Sequence, residues 1–296
     1  MNSSDPRDTF ALDRRAVLQA FDRASASYDA AAALQERVRN GLITRLDELK
    51  VAPRSILDLG AGTGHASRAL KRRFPKALVV AADIAPGMLE RARQQSRWLR
   101  RFERVRADAY ALPFREGGFD LIFSSLMLQW CDALDTVFSE VARVLAPGGL
   151  LLASTFGPDT LKELREAWSA SSDASNHVNH FFDAHALGSA LMHAGIAEPV
   201  LDVDRIVIGY PDAMTLMREL KAIGAHNVTR GRARGLTGRR RLAQMTLSYE
   251  ALRREGKLPA TYEVIHVSAW GAARRAPEKT VFAREAFISP SAIRRK

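Results

Sequence analysis

The run Asp58-Leu59-Gly60-Ala61-Gly62-Thr63-Gly64 puts three glycines at alternate positions, where an apolar stretch ends and a helical pattern begins. Glycines there let the backbone turn tightly and leave no side chain between it and a ligand, and the following helix start offers unpaired N–H donors. Such a loop can cradle a polar ligand. The spacing is G-x-G-x-G followed by His65, whereas the dinucleotide fingerprint wants a glycine three residues after the second one. A phosphate-binding P-loop would end in Gly-Lys-Ser/Thr, which this loop lacks. Asp83 closes the next apolar run, 19 residues after Gly64, where a carboxylate can accept hydrogen bonds from both hydroxyls of an adenosine ribose. Asp108-Ala109 follows the third run, where Asp108 can accept from an adenine amino group. One acidic residue at a strand end is often only a helix cap. The glycine loop, Asp83 and Asp108 in this order, at three successive strand ends, point instead to one nucleoside ligand.

The elements that would hold these residues alternate in type. The strands are Ser55 to Leu59, Leu78 to Asp83, Val105 to Asp108, Phe119 to Ser124 and Leu150 to Phe156; the helices are His65 to Phe74, Pro86 to Leu99 and Leu134 to Leu145. This alternation implies βαβ units, hence an α/β fold with a parallel sheet of Rossmann-like type. Residues 13–49 read as a preceding helix, with Val17, Leu18, Phe21, Leu34, Val38, Leu42 and Leu46 at mostly three- and four-residue spacing, ended by Val51-Ala52-Pro53. Beyond Phe156 the expectations are a helix over Asp159 to Trp168, a polar loop to His180, a helix from Asp183 to Ala194, a strand near Val200 to Ile208, mainly helical residues over 212–256 and a last strand from Thr261 to Trp270. The division that results is an N-terminal helical layer over 1–50, a main domain over 51–271 with helical lid insertions near 158–182 and 212–256, and a basic tail over 272–296.

Composition excludes several classes. A chain of 296 residues that is 47% hydrophobic can bury a sizeable core, and no apolar run approaches the roughly 18 residues that span a bilayer. The N-terminus lacks a signal-peptide core, so a cytoplasmic location is expected. With Cys131 as the single cysteine, no internal disulfide and no multi-cysteine zinc site can form, and its apolar context marks it as a structural thiol rather than a nucleophile. His177 and His180 lie three apart in a polar loop without a third ligand, so no metal is expected. The net charge of +11 is local: residues 91–106 hold seven basic side chains against one acidic, 228–257 nine against two, and 272–296 seven against two, so the rest of the chain is net acidic. Localised positive charge suits an acidic partner, although each segment taken singly could be only a solvated face.

These motifs resemble those of the class I S-adenosylmethionine (SAM) dependent methyltransferases: the glycine loop, Asp83 with Ile84 and Met88, Asp108-Ala109, Leu112-Pro113-Phe114 ahead of Phe119-Asp120, and Leu145-Ala146-Pro147-Gly148-Gly149. The resemblance covers residues 50–156. It implies that SAM is the cofactor, that Asp58, Gly60, Ala61, Gly62, Thr63 and Gly64 lie by its methionine part, and that Asp83 holds the ribose. Asp108 and Ala109 would then meet the adenine, and Ile84, Met88 and Ser125 would complete the binding set.

A narrower resemblance chooses the acceptor. Asp22 to Asp29, Leu128-Gln129-Trp130-Cys131, Leu220 to Ala225 and Leu258 to Val264 are similar to the malonyl-[acyl-carrier protein] O-methyltransferases of biotin synthesis, over almost the whole chain to residue 270. This implies methyl transfer to the free carboxylate of a malonyl thioester, with an acyl carrier protein (or malonyl-CoA) as partner and neither nucleic acid nor membrane. Tyr28, Gln129 and Trp130 are candidates to line the reaction space, with an arginine or His226 holding the carbonyl or carboxylate. Two other readings compete. Asp159 to Arg165 and Pro259 to Tyr262 also resemble a complex I assembly factor that keeps the SAM-binding fold and hydroxylates a protein arginine. Charge by itself would suit a nucleic-acid methyltransferase, but the Asn/Asp-Pro-Pro-aromatic loop of amino-methylating DNA enzymes is replaced here by Ser124-Ser125-Leu126-Met127.

Overall fold

Short, mostly apolar runs such as Ser55–Leu59 form strands buried on both faces at the centre of the sheet. The computed structural model describes residues 11–96, 101–171, 179–225, 227–229 and 238–272. Seven strands make one sheet: β1 (Ser55–Leu59), β2 (Leu78–Asp83), β3 (Glu103–Arg106), β4 (Phe119–Ser125), β5 (Leu145–Phe156), β6 (Ile196–Tyr210) and β7 (Leu258–Gly271), in the order β3-β2-β1-β4-β5-β7-β6. The first five are parallel, whereas β7 runs antiparallel between β5 and β6. The expectation of a parallel sheet therefore holds for the βαβ part and is corrected at one edge. There β7 is entered from the helical insertion after β6 rather than through a crossover, so it returns in the opposite sense.

The strand order reverses between β1 and β4. In an open α/β sheet the connections on either side of such a point leave on opposite faces, and a crevice opens at the carboxyl ends of the strands. That crevice lies between the ends of β1, β2 and β4, where Gly60, Asp83 and Ser125 stand.

The N-terminal layer differs from one long helix. It is three pieces, α1 (Arg14–Ala24), α2 (Tyr28–Ala31) and α3 (Ala33–Arg45). Asp13 caps α1 by accepting from the Ala16 N–H. The break follows from serine chemistry: Ser25 and Ser27 donate back to the carbonyls of Asp22 and Ala24 at 2.8 and 3.2 Å, which competes with continuing the helix, and Ser27 also reaches the Ala222 carbonyl. The bend turns Tyr28 to the crevice while Leu34, Val38 and Leu42 of α3 stay buried.

Between the strands lie α4 (His65–Arg73), α5 (Pro86–Gln95) and α6 (Leu134–Val144). The later chain adds α7 (Lys162–Ser169), α8 (Ala184–His193), α9 (Ala213–Ala222) and α10 (Arg239–Glu250). Smaller differences from the expected bounds are that β3 ends at Arg106, that β5 begins at Leu145, and that α5 ends at Gln95. One apolar cluster packs α6 and α8 against one face of the sheet, and a second packs α3, α4 and α5 against the other. A third joins α7, α9 and α10 to β7 and to the start of α3, and forms the layer beside the crevice. Among the described residues no helix is long and apolar enough to cross a membrane.

Candidate functional site

The crevice is a cleft of about 810 Å³ counted with its mouth. Ten of the residues singled out from sequence line it: Tyr28, Gly60, Gly62, Asp83, Ile84, Met88, Asp108, Ala109, Ser125 and Trp130. They come from strand ends and loops far apart in the chain, so only the sheet's topology brings them together.

The glycine loop divides its labour. A side chain at Gly60 would collide with Met127, its Cβ falling 2.3 Å from the Met127 Cγ, and one at Gly64 would strike the Ala92 Cβ at 2.8 Å. These two glycines exist for protein packing. Gly62, at φ +52°, faces open space, with nothing within 4 Å of a built Cβ. Here alone in the loop does the missing side chain keep room for a ligand. Asp83 holds this turn: one carboxylate oxygen accepts from the Gly62 N–H at 2.8 Å and the other from the Ala85 N–H at 2.8 Å. Burial raises the Asp83 carboxyl above its usual range, and the Ala85 and Gly62 N–H groups pull the other way. Each oxygen keeps a second lone pair for an incoming hydroxyl.

Asp58, Ala61, Thr63 and Gly64 lie outside the cleft lining and support it. The Thr63 hydroxyl donates to Asp29 at 2.6 Å, and His65 meets the other Asp29 oxygen at 3.2 Å, which ties α2 to the loop. Asp58 is 1% exposed and accepts from the Ser67 hydroxyl at 2.5 Å. Burial pushes its carboxyl up to about 7 against that hydrogen bond, with the charge of Asp83 adding to the rise.

This has a consequence for stability. A group whose folded pKa lies above its unfolded value of 3.8 contributes stability that is complete below that value and is lost as pH climbs to about 7. Asp58→Asn keeps an acceptor for Ser67 and does not titrate. Its melting temperature relative to wild type should therefore rise between pH 4 and 7, by the equivalent of up to about 4 kcal/mol, and stay level above. Parallel pH–melting curves for the two proteins would contradict this.

Gln129 does not present its amide to the cleft. It is buried in a short 3₁₀ turn over Leu128–Trp130, donates to the Leu126 carbonyl at 2.7 Å and accepts from the Thr155 hydroxyl at 3.4 Å. Its place is under the wall, fixing the Leu126 turn, whose φ is +52°. Trp130 does line the cleft, held edge-on by Phe21 with ring centroids 5.0 Å apart. Burial raises the Tyr28 phenol, with Asp83 adding to the effect, so that it stays protonated. Cys131, in the wall, is buried, and its thiol is pushed up to about 12, chiefly by burial, which makes it a poor nucleophile. His226 lies outside the described residues, as do His177 and the segment 230–237 with Arg230, Arg232 and Arg234.

The residues that sequence reasoning missed come mostly from α1. Val17 and Phe21 are lining residues, and Arg14 is the one basic side chain on the cleft wall among the described residues. Arg14 pairs with Asp108, and its guanidinium carbon lies over the Tyr110 ring, 4.1 Å from the centroid. Tyr110 donates to Asp132 at 2.6 Å, and the Leu12 N–H donates to the other Asp132 oxygen. Leu12 also bridges Thr229, so the N-terminal segment straps the Asp108 end of the cleft to the later chain. The three- and four-residue spacing of Arg14, Val17 and Phe21 would have flagged one face of α1, although nothing in it says which side of the sheet the helix crosses.

A parallel α/β sheet reversed at its centre, with an antiparallel β7 and a nucleoside-sized cleft flanked by a glycine turn and two strand-end carboxylates, is the architecture of a class I SAM-dependent methyltransferase. Residues 57–153 match the family model described as "Methyltransferase domain". The sheet also superposes on YcgJ protein from Bacillus subtilis, with a TM-score of 0.57 at 18% identity over 79% of this chain and 98% of that one. It superposes as well on phosphoethanolamine N-methyltransferase 2 of Haemonchus contortus in complex with SAM, with a TM-score of 0.52 at 15% identity over 85% and 57%. Malonyl-[acyl-carrier protein] O-methyltransferase of Methylovorus sp. is 49% identical over 89% of this chain and 90% of its own length, and that of Laribacter hongkongensis is 47% identical over 92% and 94%. The chain belongs to the malonyl-[acyl-carrier protein] O-methyltransferase family, and its cofactor is SAM.

Proposed function

We propose that the cleft binds SAM and passes its methyl group to the free carboxylate of a malonyl thioester carried by an acyl carrier protein, an early step in making the pimeloyl part of biotin. The observation that carries the choice of acceptor is the extent of the 49% identity: it runs through 89% of the chain, beyond the 57–153 core that methyltransferases of many specificities share. The lid layer of α7, α9 and α10 beside the cleft falls within that reach.

In this reading Asp83 receives both ribose hydroxyls on the lone pairs left free by Gly62 and Ala85. Asp108, Ala109 and Tyr110 receive the adenine, with Arg14 holding the Asp108 carboxylate. The methionine part lies along Gly60 to Gly64. Arg39 is suited to a carboxylate at that end: its side chain is 16% exposed, and its charge reaches both Tyr28 and Asp58. Ile84 and Met88 line the adenosine side and Ser125 the β4 end. SAM supplies an electrophilic methyl on a sulfonium. The acceptor carboxylate is ionised near neutral pH, so no general base is required of the protein, and Tyr28 with its raised phenol is a donor or a wall and not a base. What remains for the chain is to align oxygen, methyl and sulfur and to exclude water, which the apolar wall of Leu126, Met127 and Trp130 favours.

The deciding experiment offers purified protein and labelled SAM to malonyl-carrier, malonyl-CoA, free malonate and RNA. Label transfer to a malonyl thioester, as a base-labile ester, is expected; label in RNA, or none in any malonyl compound, overturns the reading. Turnover should also be unchanged by EDTA, because the acceptor is already an anion and needs no Lewis acid. Activity lost with EDTA and restored by a divalent ion would contradict this.

A further inference from the structure

One helix of the lid layer carries a surface that the fold itself does not use. The inner side of α10 is core: Met245 and Tyr249 are fully buried in the cluster that includes Trp168 and Tyr262, and the Tyr249 hydroxyl donates to the Pro259 carbonyl at 2.9 Å. On the outer side Arg239, Arg240, Ala243, Gln244 and Leu247 are all exposed. Leu247 is 72% exposed, more than any other large apolar residue described. Arg240 and Leu247 are seven residues apart, two helical turns, so they stand in one line on the same face.

Arg239 and Arg240 do not serve the helix. All three of Arg239, Arg240 and Arg241 fall in its first turn, with no acidic residue there and no capping side chain at Gly238, and the helix dipole disfavours cations at that end. Arg239 and Arg240 make no ion pair among the described residues. Past the helix, Arg254 and Lys257 are exposed on either side of the exposed Glu255, whereas Arg253 is pinned by Glu250 at 2.7 Å. An exposed leucine two turns along the helix from the unpaired Arg240 matches a partner surface that is acidic and also offers an apolar contact. A nucleic-acid backbone would use the arginines and leave the leucine in water.

We propose that this outer face of α10, centred on Arg240 and Leu247, is the docking surface for the acidic carrier domain that brings the malonyl group to the cleft. The inference rests on the carrier-bound acceptor of the proposed function. Charge guides the encounter and Leu247 supplies the desolvated contact that holds it.

The test uses the full chain and two acceptors, malonyl-carrier and the malonyl thioester of a short uncharged thiol. Arg240→Glu and Leu247→Asp, checked for an unchanged melting temperature, should each raise the KM for malonyl-carrier tenfold or more at low salt. Turnover at saturation and the KM for the short thioester should stay within twofold of wild type. Added salt should raise the carrier KM of wild type more than that of Arg240→Glu. Where either variant melts early, Arg240→Ala and Leu247→Ser serve in its place, with the same pattern at smaller size. Folded variants with a wild-type carrier KM, or with equal losses on both acceptors, overturn the docking surface. A wild-type enzyme that methylates the short thioester and ignores the carrier overturns the carrier-bound acceptor itself, and the docking proposal falls with it.

Discussion

Asp83→Ala is expected to weaken SAM binding by roughly 100-fold, the equivalent of about 3 kcal/mol for two hydrogen bonds to a charged acceptor. The same carboxylate holds the Gly62 and Ala85 N–H groups, so the substitution also leaves two backbone donors without their partner and loosens the turn on which the ligand lies. Asp83→Asn separates the two effects only in part, because an amide offers one acceptor where two are needed and would set a donor against one of the N–H groups. The measurement is calorimetric titration with SAM and with S-adenosylhomocysteine. Affinity within threefold of wild type in Asp83→Ala would remove Asp83 from the ribose site.

The second large effect is expected at Gly62. Gly62→Val places a branched side chain in the one part of the loop where nothing lies within 4 Å, and it does so at φ +52°, where a side chain costs roughly 1 to 2 kcal/mol. SAM binding should fall below detection while the melting temperature drops by only a few degrees. Gly60→Ala should behave in the opposite way. Its Cβ would lie 2.3 Å from the Met127 Cγ, so the damage is to packing first, and stability should fall with affinity. If the two variants lost binding and stability in the same proportion, the assignment of Gly62 to the ligand and of Gly60 to the wall would be wrong.

Much of this was legible in the sequence because it is local. Five strand-like runs alternating with helical periodicity imply βαβ units, and the glycine loop, Asp83 and Asp108 stand at or just past strand ends whatever the strand order, since a chain leaving a strand of the sheet must turn there. The narrow family resemblance was legible for a related reason: it is carried by short runs such as Leu128 to Cys131 and Leu258 to Val264, which keep their spacing in any fold.

Other features were decided only in three dimensions, where contacts join residues far apart in the chain. The break of the N-terminal helix at Ser25 to Ser27 needs the Ala222 carbonyl, nearly two hundred residues away, as well as local serine chemistry. The antiparallel sense of β7 depends on its entry between β5 and β6. Gln129 reads in sequence as a polar group beside a tryptophan, but the fold gives its amide to the Leu126 carbonyl and the Thr155 hydroxyl. Arg14 reads as one arginine among many until α1 crosses the cleft and sets it against Asp108. A sequence pattern records which side chains are polar and how they are spaced along an element. Whether a polar group meets the ligand, the wall or the solvent depends on which element packs across from it, and that was settled here by the tertiary structure.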